Sequence, residues 1–386
     1  MVLPRERALA GFRDHFGREP ALLVRAPGRV NLLGAHVDHS AGLVLPIAID
    51  RAAWLALSPR ENGRVRVAAL DMDDVASFSL DALSPGAAEG WMAYPQGVAW
   101  ALRVAGFELS GLDAALSSDV PIGAGLSSSA AVEVAFAMAW AALGDLEIEK
   151  QGLASLCQRA ENEYVGVACG IMDQTASLLG RAGHALLLDC RTLSSEQVPL
   201  PDGVVVVVSD TGVRRRLSGS GNYNSRRAQV QEGLRLLHAH LPEIASLRDV
   251  SAQDLERLEY WLPEPARRRV RHVVTEIARV QAGAESLRAG RLEAFGEALI
   301  ASHLSSRQDY ESSIFELDVL SEAAWAVEGC YGARLSGAGF GGCTLSVVEK
   351  GAIERFKEQV SAAYRAAVGR EPPIYVCKTA DGAEVL

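Results

Sequence analysis

Pro121-Ile-Gly-Ala-Gly-Leu-Ser-Ser-Ser-Ala-Ala131 is the stretch on which the reading of the fold turns. Gly123 and Gly125 let the backbone come close to a ligand with no Cβ in the way. Three hydroxyls follow, at Ser127, Ser128 and Ser129. A strand-like segment, Asp113–Asp119, leads in, and an apolar, helix-prone run, Ala130–Leu143, leads out. A Gly/Ser loop that opens a helix offers free N–H groups at a positive dipole end, a place for phosphate. The loop is not a Walker sequence, since no Lys follows the last Gly, and it lacks the Rossmann spacing. The plain alternative is an ordinary helix start with Ser as N-cap.

Two further runs bear on that choice. Arg25-Ala-Pro-Gly-Arg-Val-Asn-Leu-Leu-Gly-Ala-His-Val-Asp-His39, followed by Gly42-Leu-Val-Leu-Pro-Ile-Ala-Ile-Asp50, stands before the loop. Leu335-Ser-Gly-Ala-Gly-Phe-Gly-Gly-Cys343 stands near the end. In this order and at these separations the three resemble the motifs of the GHMP small-molecule kinases, and within them the galactokinase branch. Glu161-Asn-Glu-Tyr-Val-Gly-Val-Ala-Cys-Gly-Ile-Met-Asp-Gln174, Gly183-His-Ala-Leu-Leu-Leu-Asp-Cys-Arg191 and Asn222-Tyr-Asn-Ser-Arg-Arg227 resemble runs particular to that branch. The resemblance extends from about Pro27 to Val347. It implies an α+β, two-lobed GHMP kinase fold with mixed β-sheets and the active site between the lobes.

Composition bounds the rest. A chain of 386 residues accommodates two or three domains. Apolar residues make up 49% and charged residues 22%, the balance of a globular protein with a sizeable core. The net charge of −10 argues against nucleic acid as a partner, which calls for a basic surface. A local positive pocket for an anionic substrate is still compatible with it. Met1–Arg7 has neither an apolar core nor a cleavage pattern of a signal peptide, and no apolar run reaches the roughly 20 residues that span a bilayer. No membrane association is expected. Six cysteines without CxxC pairing read as free thiols, and the expected compartment is the cytoplasm.

Helices are expected over Arg5–Phe16, Tyr94–Ala105, Ala130–Leu143, Glu149–Tyr164, Gly170–Leu179, Ser225–His240, Arg267–Arg288 and Ile353–Val368. Strands are expected at Leu22–Arg25, Asn31–Leu33, Leu43–Leu57, Arg64–Leu70, Ala76–Leu80, Ala185–Asp189, Val204–Ser209, Arg334–Leu335 and Cys343–Val348. From Ser225 the texture turns helical. The Val198-Pro-Leu-Pro-Asp-Gly203 punctuation sets a boundary near Leu200, with an N-terminal lobe over 1–200 and a C-terminal lobe over 201–386.

Phosphoryl transfer needs a phosphate cradle, a metal, a group to receive or orient the attacking hydroxyl, and positive charge. The resemblance implies ATP held by Gly123, Gly125, Leu126, Ser127, Ser128 and Ser129, with Trp91 flanking adenine or serving as a core or hinge residue. It implies Mg²⁺ on Ser129 and Glu161. Asp173 lies in an apolar context where an isolated carboxylate is costly, so a partner or a task must exist. Arg29, also in an apolar run, is the partner expected, and a guanidinium beside a carboxylate favours its ionised form. By resemblance Asp173 contacts the anomeric hydroxyl and Arg29 steadies the transferring phosphoryl group. Ala35, His36, Asp38, Gly170, Asp173 and Tyr223 would surround the sugar. His36-Val-Asp-His39 shows no four-donor metal set. The remaining histidines carry no signal, and the charges of Asp254–Arg271 read as solvated surface.

One departure matters. Galactokinases usually read Gly-Glu-His-Thr-Asp-Tyr where this chain has Gly34-Ala-His-Val-Asp-His39. The family glutamate reaches the sugar C6 hydroxyl, and Ala35 cannot. The variant form resembles galacturonokinases. A missing carboxylate suits a substrate that carries its own, because like charges at close range repel. D-galacturonate is therefore placed ahead of D-galactose, with His36, His39, Arg214, Arg215 and Arg216 as candidate partners for the uronate. Arabinose, which lacks C6, also fits. A sugar- and ATP-binding sensor without turnover is the reading from another class; the retained Ser127–Ala131, Asp173 and Arg29 favour an enzyme.

Overall fold

The apolar runs from Leu22 to Arg60 fold as two long antiparallel strands, β1 (Leu22–Leu33) and β2 (Leu43–Arg60). The sequence separates Leu22–Arg25 from Asn31–Leu33 because Pro27 and Gly28 intervene, yet β1 runs through both with a register shift between Pro27 and Arg29. A proline, which lacks an N–H, and a glycine are tolerated in a strand at such an irregularity, and a bulge re-aims the next side chain. Gly28 is needed there, since a Cβ would come within 2.7 Å of the Leu126 carbonyl oxygen. The computed structural model describes residues 2–214 and 221–386, the side chains of 221–223 excepted.

Strands β3 (Arg64–Ala69), β4 (Asp74–Ser79) and β5 (Gly111–Ser118) complete the main path β4-β3-β5-β2-β1, in which β3 and β5 are parallel and the other pairs antiparallel. β6 (His184–Asp189) joins the start of β2 and carries β7 (Ser195–Pro199). A second, antiparallel sheet is built from β8 (Val204–Asp210), β9 (Cys330–Ser336), β10 (Cys343–Glu349) and β11 (Ile374–Cys377), in the order β11-β8-β10-β9. The last strand, β12 (Glu384–Val385), returns to the first sheet beside β1.

Strand alternation assigns the faces. Leu23, Ala56 and Ala115 pack under helix α1 (Pro4–Phe16). Their neighbours Val24, Leu55 and Ala114 face the opposite way, into a core shared with α2 (Ala93–Val104), α3 (Ser128–Leu143), α4 (Lys150–Arg159) and α5 (Met172–Leu179). α3 is apolar around most of its circumference because it is buried around most of it. The helix expected over Glu149–Tyr164 widens at Ala160 into a π-helical turn, Ala160–Val165, a feature frequent at functional sites.

Beyond α6 (Gly221–Leu237) and α7 (Ala252–Leu258), the long α8 (Ala266–Arg288) and α9 (Leu292–Gln308) pack where the two sheets meet. α10 (Phe315–Trp325) and α11 (Ile353–Val368) cover the far face of the second sheet. Val30, Leu32 and Ile47 of the first sheet share a core with Val206, Val208, Leu345 and Val347 of the second, and Ala124 and Leu126 of the glycine loop belong to it. The loop is thereby anchored at the junction of the sheets. Among the described residues no helix is long and apolar enough to cross a membrane.

Candidate active site

The glycine loop ends in an uncapped helix. Ser127 precedes α3 with φ +59°, a left-handed conformation uncommon for a residue with a Cβ, and its side chain does not cap the first turn. The capping role open to Ser127 is therefore not taken. Its hydroxyl donates instead to Oδ2 of Asp173 at 2.5 Å. Among the described residues the first-turn amides of α3 have no side-chain acceptor, and Gly123 is exposed before them. Leu126 is buried in the core between the sheets, so only its backbone faces the loop. The third glycine run folds against this loop. Gly337, Gly339, Phe340, Gly341 and Gly342 all have positive φ, and a Cβ on Gly125 would lie 3.4 Å from the Ser336 carbonyl oxygen.

Arg29 and Asp173 form a two-pronged pair, Nε to Oδ1 at 2.7 Å and Nη2 to Oδ2 at 2.6 Å. Arg29 is 5% exposed, and its Nη1 also donates to the Gly125 carbonyl at 2.9 Å. Asp173 sits in the first turn of α5, where the helix dipole favours a carboxylate. Among the described residues its Oδ2 accepts from both Arg29 and Ser127, while Oδ1 accepts from Arg29 alone. A carboxylate oxygen has two lone pairs, so Oδ1 retains one for an incoming hydroxyl.

Asp38 opens the short turn Asp38–Ser40, with His39 Nδ1 at 3.4 Å from its Oδ1. Burial opposes its charge, but the hydrogen bond and charge of His39, with the charge of Arg29, hold its carboxyl below the usual range. Gly170 is the floor under it: a Cβ there would stand 1.9 Å from Asp38 Oδ2. Its neighbour His36, with φ +57°, stacks on the Tyr310 ring at 4.1 Å. Ala35 is 2% exposed. Tyr223 has its side chain outside the described residues, and Arg215 and Arg216 lie outside them altogether. Arg214 runs past Gly123, 3.1 Å from where a Cβ would be, and pairs with the buried Asp210 at 2.8 Å.

Glu161 is carried inward by the π-helical turn and is 6% exposed. Burial, with the charge of Asp173 adding to it, pushes its carboxyl above the usual range, against hydrogen bonds from Cys169 (3.2 Å) and Gln174 (2.9 Å). The Gln174 amide also donates to Glu133 at 3.0 Å, whose carboxyl is driven well up by burial and by Glu161. Burial and the charges of these two acids raise the Tyr94 phenol to about 12, and Tyr94 hydrogen-bonds Ser129. Ser129 and Glu161 thus lie around one buried, acid-rich point. Trp91 donates instead to Asp74 at 2.8 Å and packs on the core of the first sheet.

Several residues escaped the sequence reading. Glu133 carries a signal, as the one charge in the apolar run Ala130–Leu143. His272 and Glu276, both fully buried, are four residues apart and so share a helix face, the available clue. Arg269, read as solvated, is 1% exposed and bonds Gln229 at 2.8 Å.

A helix start without a cap, a carboxylate paired to Arg29 beside it and buried acids behind it are parts for phosphoryl transfer. The family models agree: GHMP kinases N terminal domain matches residues 93–181, Galactokinase galactose-binding signature residues 10–59, and GHMP kinases C terminal residues 284–366. Fold and motifs together define a GHMP small-molecule kinase. A galactokinase of Roseiflexus sp. (strain RS-1) is 49% identical over 371 residues, 96% of this chain and 94% of that protein. One of Streptomyces coelicolor is 43% identical over 381 residues, 97% of each. The structure of Lactococcus lactis galactokinase complexed with galactose superposes with a TM-score of 0.93 at 33% identity, covering 97% of this chain and 98% of that one. A mevalonate kinase, at 16% identity and a TM-score of 0.65, shares the fold. The chain belongs to the galactokinase family and is a sugar kinase that transfers phosphate to a hydroxyl.

Proposed function

We propose that the protein transfers the γ-phosphoryl group of ATP to the C1 hydroxyl of D-galactose. The observation that carries this reading is the Arg29–Asp173 pair, tied through Ser127 and Gly125 to the glycine loop and lying beside Asp38 and Gly170. The galactokinase names of the relatives and the galactose in the Lactococcus lactis complex support galactose over the uronate favoured by the sequence. So does Arg214, a uronate donor expected from the sequence, which is engaged by Asp210 beside Gly123. Ala35 is the specific feature that keeps galacturonate as the second reading.

In this reading the amides of 123–129 and the hydroxyls of Ser128 and Ser129 cradle the triphosphate at the positive end of α3. Asp173 Oδ1 receives the hydrogen of the C1 hydroxyl and aligns its oxygen for attack. Arg29 keeps that carboxylate in place and offsets charge on the transferring group. Asp38, His36, Gly170 and Tyr223 hold the ring. Ser129 and Glu161, with Glu133 behind, fit Mg²⁺, which takes one or two protein oxygens and otherwise phosphate and water. Bound there, the metal would offset negative charge on the phosphates. The lobe division near Leu200 follows the passage from β7 in the first sheet to β8 in the second, β12 excepted.

The test is ADP release with ATP and a panel of galactose, galacturonate, arabinose and glucose. Turnover of galactose above galacturonate is expected. Galacturonate turned over with galactose inert would overturn the substrate assignment, and binding of sugar and ATP without ADP release would make the protein a sensor.

A further inference from the structure

Ala35 sits in a turn whose backbone is gripped from helix α8. The N–H groups of Gly34 and Ala35 both donate to Glu276 Oε1 at 3.0 Å. The Ser302 hydroxyl of α9 donates to the same oxygen at 2.6 Å, and Arg279 pairs with Oε2. On the other side of the residue, His272 Nε2 lies 3.0 Å from the Ala35 carbonyl, with Ser305 Oγ 2.9 Å from Nδ1. Buried backbone groups must find partners, and here side chains of another part of the chain supply them.

The grip is stiff. His272 and Glu276 are wholly buried and share a face of α8. Burial holds the His272 ring at about 4, so it is neutral at pH 7 with its hydrogen on Nε2, toward the carbonyl. The carbonyl needs that donor, and Nδ1 then faces the Ser305 hydroxyl, whose one hydrogen is also offered to Asp309 Oδ2 at 3.1 Å. Tyr310 packs on His272 at 4.7 Å and on His36 at 4.1 Å, so the ring after Ala35 is steadied by the same group. Gly34, with φ +97°, has the Leu43 carbonyl 2.8 Å from where a Cβ would be, which leaves the turn no room to move that way. Both peptide groups of Ala35 are fixed, and with them the direction in which His36 and Asp38 leave the turn.

We propose that His272 and Glu276 are positioning residues for the sugar, setting its affinity through the Gly34–Asp38 turn without touching it. This rests on the reading of that turn as the sugar side of the site. The measurement therefore uses whichever sugar the panel shows to be turned over, so failure of the galactose assignment and failure of this inference come apart.

His272→Met fills the ring's volume without a donor, whereas His272→Gln returns an N–H toward the Ala35 carbonyl. The Met variant should raise KM for the sugar at least about tenfold, the scale of an unpaired buried carbonyl, with KM for ATP within about twofold. The Gln variant should recover most of that loss. A folded Met variant with unchanged sugar KM overturns the proposal, as does equal loss for sugar and ATP with no recovery in Gln. Should His272→Met not fold, Ser305→Ala, which removes the hydroxyl that fixes the ring, must raise sugar KM by at least about threefold. No rise there overturns it equally.

Discussion

Replacing Gly170 by alanine should damage sugar binding far more than the fold. The new Cβ would lie 1.9 Å from Asp38 Oδ2 and 2.4 Å from its Cγ. Comfortable contact begins at about 3.5 Å, so the carboxylate must move by more than about 1 Å. The carboxylate can turn away at a rotamer cost of about 1 kcal/mol, but Asp38 Cβ, 2.9 Å from the new atom, obliges the short turn to shift as well. The movement takes it from His39 and from the ring hydroxyls it is proposed to hold. A hydrogen bond to a charged group contributes about 1.5–3 kcal/mol, which corresponds to about 10- to 150-fold in affinity. Steady-state kinetics should show KM for galactose raised at least about tenfold and KM for ATP nearly unchanged. The melting temperature should fall by no more than about 5 °C. A galactose KM within about twofold of the parent would refute the placement of Asp38 against the sugar.

Asp173→Asn should lower kcat by about a hundredfold while retaining binding of an ATP analogue, because the amide cannot receive the hydroxyl hydrogen; a loss under tenfold would remove Asp173 from the chemistry. Glu161→Gln should raise the Mg²⁺ concentration for half-maximal rate about tenfold, and an unchanged requirement would move the metal elsewhere. Acid should destabilise the protein in two stages. Burial depresses His272 from 6.5 to about 4, and Glu276 is held down from 4.5 to about 2, chiefly by the charges of Arg279 and Arg334, which outweigh its burial. Both unfolded groups take up protons before the folded ones, so stability complete above pH 6.5 falls as pH drops, first through His272 and below about 4.5 through Glu276. The His272 part is worth about 2 kcal/mol by pH 5. Denaturant titrations at pH 7.5 and 5 should find that loss reduced in His272→Gln, and an identical loss would exclude His272 as its source.

Motifs with an obligatory residue type were legible from sequence. The glycine loop and the Arg29–Asp173 pairing follow from residues that have few other uses in an apolar setting, whereas Asp38 and Gly170 were placed at the sugar by the family resemblance. The helices α8 and α11 were legible from their periodicity, and α3 from an apolar, helix-prone run. What escaped depends on distant partners. Ser127 reads as a cap until Asp173, 46 residues on, takes its hydroxyl. β1 reads as two strands until β2 absorbs Pro27 and Gly28 in a register shift. His272 carried no signal and Glu276 was not singled out, since their acceptor and donors lie more than 230 residues earlier, at Gly34 and Ala35. Ala35 pointed to a uronate because composition at one position cannot weigh the remainder of the pocket.

The most direct test of the central claim is the position of the new phosphate. The purified protein is incubated with ATP, Mg²⁺ and D-galactose, and the product is examined by ³¹P NMR with proton coupling. A phosphorus signal split by the anomeric hydrogen, with one ADP formed per sugar phosphate, is the result expected if Asp173 receives the hydrogen of the C1 hydroxyl. Phosphate on C6 or another ring hydroxyl, or no transfer to galactose at all, would contradict it.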